Sequence, residues 1–244
     1  MKRKFRFALS VALSFALVCG ALVASAQALA QNPAAYVRVP LSRDGIGKQY
    51  MGREIARVMG HQAADWLERP ERLTEERPDL LIGELDIKPG MMVADVGAGT
   101  GYHVERIAPL VGPSGKVFAV DIQPEMLALL DQRLKRQGIF NAVPVLGAVD
   151  DPKLAEQSLD LIIMVDVYHE FDFPAQMLVK MAAALKPGGR IAFVEFKAED
   201  ANVPIKTLHK MSEAQIRKEA AAAGFTWVRT GKSLPWQHVV IFKK

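Results

Sequence analysis

The chain has 244 residues, half of them hydrophobic, which suits one globular domain of moderate size. Its formal charge of +4 hints at a nucleic-acid or membrane partner, but Lys2, Arg3, Lys4 and Arg6 account for the whole excess. Beyond residue 30 there are 27 basic and 27 acidic residues, so the electrostatic footprint of a nucleic-acid-binding surface is missing.

Residues 1–30 read as an export signal: a basic start, an apolar stretch from Phe7 to about Val23, then small residues. Ala28-Leu29-Ala30 fits an A-x-A cleavage site and sets the mature start at Gln31, with Ala24-Ser25-Ala26 as a second fit. The expectation is a periplasmic protein without stable membrane contact after cleavage; an uncleaved N-terminal anchor is the alternative. Lys2-Arg3-Lys4-Phe5 resembles a twin-arginine signal with lysine in one arginine place. Cys19 lies in the apolar stretch behind Val18, where a lipoprotein site wants Gly or Ala, so lipidation is not expected. The mature chain has no cysteine, which excludes disulfides and thiolate metal sites.

Residues 31–44 read as a linker holding Pro33 and Pro40, and residues 45–84 as a helical extension. Ile46, Tyr50, Ile55, Val58 and Met59 suit an amphipathic helix over 45–59, and Pro78 opens another over 79–85. Strands and helices then alternate, which predicts a parallel sheet. Val93–Val96 is the first strand, and Val117–Val120 the second, with Asp121 at its end. Pro124 opens a helix that Gly138 closes. Val143–Leu146 and Asp160–Val165 are further strands. A helix from Pro174 to Leu185 ends at Lys186-Pro187-Gly188-Gly189, before a strand from Arg190 to Phe196. Ser212-Glu213-Ala214-Gln215 is a capping box whose helix runs to Gly224. Phe225–Arg229 and Val239–Phe242 close the chain as strands.

The most informative segment is Val93-Ala94-Asp95-Val96-Gly97-Ala98-Gly99-Thr100-Gly101-Tyr102. A buried strand ends in a glycine turn and opens a helix over about 102–111, whose N–H groups point at a ligand. Dinucleotide sites prefer G-x-G-x-x-G; here the third glycine comes one residue early. Asp121 lies 20 residues beyond Gly101, where a carboxylate can accept from both ribose hydroxyls of an adenosine ligand.

VADVGAGTG, VFAVDIQPEML, SLDLIIMVDVYHE and LKPGGRIAFVEF, in that order, resemble the motif set of the class I S-adenosylmethionine-dependent methyltransferases. The likeness is strong from about Leu85 to Phe196 and weaker to the closing strands. It implies a methyltransferase domain over 85–244: a Rossmann-like, doubly wound, seven-stranded, mainly parallel α/β sheet with an antiparallel closing strand. It implies S-adenosyl-L-methionine as cofactor and direct displacement onto an unidentified small-molecule acceptor. By the resemblance, Asp95 and Gly97 face the methionine part, Ala98, Gly99 and Gly101 shape the turn, and Asp121 holds the ribose. Ile122 and Gln123 lie along adenine or ribose, and Asp150, with Asp151 competing, meets the adenine amino group.

Asp166-Val167-Tyr168-His169-Glu170 follows the fourth strand, beside the transferred methyl group in that family. Asp166 is placed against the cofactor. His169 is the candidate general base, oriented by Asp166 or Glu170, because a histidine titrates near working pH. The Asn/Asp-Pro-Pro-aromatic motif of amino-directed nucleic-acid methyltransferases is absent here. A metal set of Asp166, His169 and Glu170 is set aside, since adjacent loop residues rarely converge on one ion. His61, Lys206 and His209 are further acceptor-pocket candidates, and Trp66 a lid candidate. Export conflicts with a cofactor made in the cytosol, which leaves an exported, non-catalytic binding protein as the second hypothesis.

Overall fold

The computed structural model describes residues 36–244. The export signal and residues 31–35 of the linker lie outside the described residues. Strands β1 (Tyr36–Arg38), β2 (Gly45–Tyr50) and β3 (Arg53–Ala56) form an antiparallel sheet where the sequence predicted the end of a linker and an amphipathic helix. The glycines explain the correction. Gly47 has φ of 68°, and the β2–β3 turn places Met51 at 50° and Gly52 at 94°. A helix cannot accommodate those angles, while a tight two-residue hairpin requires them. Tyr50 and Ile55 are buried nonetheless, against Ala175.

Helical structure in the extension is confined to short pieces: α1 (Ala64–Leu67), α2 (Arg72–Glu75) and α3 (Pro78–Leu85). The main sheet follows, with β4 (Met92–Val96), β5 (Lys116–Asp121), β6 (Ala142–Leu146), β7 (Leu159–Val165), β8 (Leu185–Phe196), β9 (Thr226–Gly231) and β10 (Gln237–Lys243). Their spatial order is β6-β5-β4-β7-β8-β10-β9. β4, β5, β6, β7 and β8 pair in parallel, and β10 runs antiparallel between β8 and β9. This is the Rossmann-like, doubly wound seven-stranded sheet expected from the motif order.

Both faces are covered, which is why β4 and β7 read as continuous apolar runs. Along β7, Leu161 and Ile163 face one core, and Ile162 and Met164 face the other. The first core is closed by α3, α4 (Val104–Val111) and α5 (Pro124–Gln137), through Leu85, Ile107 and Leu130. The second is closed by α6 (Pro174–Ala184) and α7 (Glu213–Ala222), through Met177, Leu178 and Ile216. Ser212 caps α7 by accepting from the Gln215 N–H at 3.1 Å, as its capping box predicts. β8 begins earlier than Arg190 and absorbs the Pro187-Gly188-Gly189 segment with a register shift. The chain winds outward in opposite directions from β4 and β7, so a crevice opens beyond their carboxyl ends. No helix among the described residues is long and apolar enough to cross a membrane.

Candidate active site

The glycine turn occupies that crevice. Gly97, Gly99 and Gly101 have φ of 82°, 53° and 87°. The N–H groups of Gly97 and Ala98 both donate to the Val120 carbonyl, at 2.8 and 2.9 Å, tying the turn to β5. A Cβ on Gly97 would fall 2.4 Å from Val167 Cγ2, and one on Gly99 would fall 2.8 Å from Leu67 Cδ1. Gly101 instead faces Leu130, where a Cβ would stand 3.1 Å from Cγ. The three glycines therefore do different work. Gly97 and Gly99 line a cavity, while Gly101 lets α5 pack behind the turn.

The cavity has a volume of about 700 Å³, within the usual range for small-molecule sites. Asp121 stands in its wall, almost fully buried. Its Oδ2 accepts from Gly99 N–H and its Oδ1 from Gln123 N–H, both at 2.9 Å. Burial raises its pKa, and the two backbone donors oppose that rise. Beyond Asp121 the wall turns apolar through Ile122, Met126, Ala148, Val149 and Pro152. Asp150 and Asp151 lie in the adjoining loop but outside the wall. Asp151 caps its own turn, accepting from Lys153 N–H at 2.8 Å.

Asp95 and Ala98 are also outside the wall. Asp95 is buried on β4, and its Oδ2 has no hydrogen-bond partner among the described residues. Burial, with the Asp121 charge adding to it, pushes its carboxyl up to about 7.

The opposite wall comes from the N-terminal extension. Gln123 holds it in place: its Oε1 accepts from His61 N–H at 2.8 Å and its Nε2 donates to the Met59 carbonyl at 3.0 Å. Gln123 is thus committed to the protein, although it lines the cavity. Trp66 lines it too, with the Arg69 guanidinium 3.8 Å from its ring centroid. Arg72 is buried between Glu76 Oε2, at 2.7 Å, and the Leu67 carbonyl, at 2.8 Å. Arg69, Arg72 and Glu76 were not among the sequence-predicted site residues. Their i, i+4 spacing from Arg72 to Glu76 was the available signal.

At the far end, the turn after β7 carries Asp166, His169 and Glu170. Asp166 has φ of 51°, rare for a residue with a side chain. Its Oδ2 accepts from Gln237 Nε2 at 2.7 Å, while Oδ1 has no partner among the described residues. Burial holds its carboxyl well above the usual range, with Glu76 adding to the effect. His169 is buried, with Nδ1 2.6 Å from Glu195 Oε2 and Nε2 3.1 Å from His209 Nδ1. Glu170 accepts from Met59 N–H at 3.2 and 3.3 Å, and its Oε1 lies 3.3 Å from His209 Nδ1. Asp166, His169, Glu170, Lys206 and His209 all line the cavity. His61 is outside the wall, and its backbone N–H donates to the Gln123 side chain. Glu195 escaped the sequence reading because a single acid inside an apolar strand has no local signature.

Burial opposes protonation of His169, but the Glu195 charge and hydrogen bond outweigh it, so its pKa lies above the ordinary value. A carboxylate only accepts, so Nδ1 carries the proton and Nε2, 3.1 Å from His209 Nδ1, is left as the ring's acceptor atom in the cavity wall. The arrangement is a binding crevice with a carboxylate at one end and an oriented imidazole at the other.

Comparison with known proteins agrees with this geometry. The chain is 32% identical over 115 residues to the ubiquinone/menaquinone biosynthesis C-methyltransferase UbiE of Bordetella avium (strain 197N), covering 47% of this chain and 44% of that protein. It is 30% identical over 140 residues to UbiE of Coxiella burnetii (strain Dugway 5J108-111), covering 57% and 55%. The chain spans about half the length of these curated relatives. A crystal structure of a SAM dependent methyltransferase from Aquifex aeolicus superposes with a TM-score of 0.72 at 25% identity, covering 76% of this chain and 99% of that one. A family model described as a methyltransferase domain matches residues 87–237, and with a seven-stranded class I sheet beneath that match, the chain belongs to the methyltransferase-domain family.

Proposed function

We propose that this protein is a class I methyltransferase that uses S-adenosyl-L-methionine and methylates a small molecule held at the His169 end of the cavity. The observation that carries the reading is Asp121, a buried carboxylate fixed by two backbone N–H groups in the wall of a crevice between a glycine turn and an apolar slot. The residues fit the cofactor. Asp121 keeps lone pairs for ribose hydroxyls, Ile122, Met126, Val149 and Pro152 offer the apolar faces a nucleobase needs, and Gly97 and Gly99 expose backbone. When bound, the cofactor supplies a methyl group already activated on a sulfonium.

The chain's own work is then positioning and proton removal. His169 Nε2 accepts a proton from the acceptor, and Glu195 holds the ring in the required tautomer and stabilises its charged form. Arg53 fixes the turn by donating to the His169 carbonyl at 2.9 Å. The extension forms one wall of the crevice and is tethered there through Gln123.

The same proposal keeps residues 1–30 as an export signal to the periplasm, on their basic start and small-residue end, and keeps nucleic acid out of the acceptor role on charge balance. Cell fractionation tests the location.

Calorimetry with S-adenosylhomocysteine tests the central reading. The unmodified protein is expected to bind, and Asp121→Ala to bind at least about tenfold more weakly, as loss of a charge-assisted hydrogen bond implies. No binding by the unmodified protein at millimolar ligand overturns it. Binding without turnover on any acceptor instead favours the non-catalytic hypothesis.

A further inference from the structure

Three cavity-lining side chains converge where the sequence reading placed a general base and set a metal aside. His169 Nε2, His209 Nδ1 and Glu170 Oε1 are separated by 3.1, 3.3 and 3.9 Å. The circle through three atoms so spaced has a radius of about 2.0 Å, which is the bond length of a divalent zinc-like ion to imidazole nitrogen and carboxylate oxygen. We propose that these residues form a three-ligand site for a first-row divalent cation, with Zn²⁺ as the natural probe.

The surroundings support the site independently of that triangle. His169 presents Nε2 because its Nδ1 is bound to Glu195 at 2.6 Å, the carboxylate–histidine pairing that orients metal-ligating imidazoles. Glu170 is held by the Met59 N–H, and the His169 backbone by Arg53. The ligands come from two separate 3₁₀ turns, Tyr168–Glu170 and Thr207–His209, so convergence does not rest on adjacent residues alone. The charges also match: Glu170 and Glu195 are two buried carboxylates around one pair of imidazoles. Lys206, next in the wall, is paired with Asp44 at 2.6 Å. Asp166, named in the rejected sequence-level metal set, is bound to Gln237 and stands outside the triad.

Three protein ligands leave a coordination position open, and all three residues line the cavity. An oxygen or sulfur of the acceptor is the donor that completes it. That extension rests on the methyl-transfer reading, with His169 Nε2 then holding the ion rather than taking the acceptor's proton; the metal site itself does not rest on it.

The test is calorimetric titration of chelator-treated full protein with ZnCl₂ near neutral pH, with Co²⁺ visible absorption as a second readout. One ion per chain at about micromolar affinity or tighter is expected. His209→Ala, at the partly exposed corner of the triad, is expected to weaken binding at least about 100-fold, and Glu195→Gln about 10- to 100-fold. Absence of one-to-one binding at about 100 µM ion, or binding indifferent to His209→Ala, overturns the site. S-adenosylhomocysteine is titrated in parallel. If it binds while Zn²⁺ does not, the metal site falls and the methyltransferase reading stands; the reverse outcome separates them the other way.

Discussion

Arg53 and Glu219 form a buried, two-pronged ion pair, with Nε to Oε1 at 2.9 Å and Nη2 to Oε2 at 3.1 Å. Glu219 also accepts from Tyr168 Oη at 2.7 Å, and Arg53 also donates to the His169 carbonyl. The pair thus joins the small N-terminal sheet, the last helix and the turn bearing His169. Removing one partner strands a buried charge. Arg53→Met is expected to cost about 3–5 kcal/mol in urea unfolding. Replacing both, Arg53→Met with Glu219→Leu, is expected to recover part of that loss. A single-variant cost under about 1 kcal/mol refutes the joining role.

Gly97 and Gly90 share a left-handed backbone, with φ of 82° and 85°, but differ in surroundings. Gly97→Ala drives a methyl into Val167, whereas Gly90→Ala meets only Ser114 Oγ at 3.6 Å. Both are expected to lose about 1–2 kcal/mol of stability from backbone strain, and Gly97→Ala about 1–3 kcal/mol more from overpacking against Val167. Only Gly97→Ala is expected to lower S-adenosylhomocysteine affinity, by more than about tenfold, because Val167 lines the cavity. Equal affinities in the two variants, measured by calorimetry, contradict this assignment of the turn.

Asp95 sets an expectation for pH. Its carboxyl, pushed up to about 7 by burial and by Asp121, keeps a proton in the folded state that the unfolded chain loses at the ordinary aspartate value of 3.8. The folded state therefore binds more protons between those limits, and stability falls as pH rises through that window, levelling above it. Asp95→Asn carries no such charge. It is expected to flatten the stability profile between pH 4 and 7 and to raise Tm near pH 8, read by thermal unfolding at a series of pH values. An unchanged profile shows that Asp95 does not titrate there.

Gln123 is the latch of the N-terminal wall. Gln123→Ala removes the bonds to His61 N–H and the Met59 carbonyl and leaves those backbone groups to find water. Amide exchange over residues 58–67 is expected to speed up, and ligand affinity to drop severalfold. Global stability is expected to shift by no more than about 1 kcal/mol. Protected amides in that stretch of the variant rule out the latch.

The legible parts of this protein were those with local causes. The apolar runs of β4, β5 and β7 reflect burial on both faces, and the glycine turn reflects angles that few other residues tolerate. Asp121 was readable because a strand end is a fixed distance from the turn it follows. The 45–59 helix was misread because Tyr50 and Ile55 suit a helical stripe as well as a hairpin core. Positive φ at Gly47, Met51 and Gly52 decided between them. Arg72 and Glu76 were not among the sequence-predicted site residues, yet they are buried in the cavity wall.

By itself, then, the sequence determined the sheet, the nucleotide-like turn and the carboxylate that faces it, because periodicity and turn chemistry act between near neighbours. Only the tertiary structure decided that Glu195 stands behind His169, that His209 and Glu170 meet it, and that residues 58–76 close the cavity. Those contacts join segments far apart in the chain. They are set by how strands and helices pack, and packing leaves no short-range pattern in the order of residues.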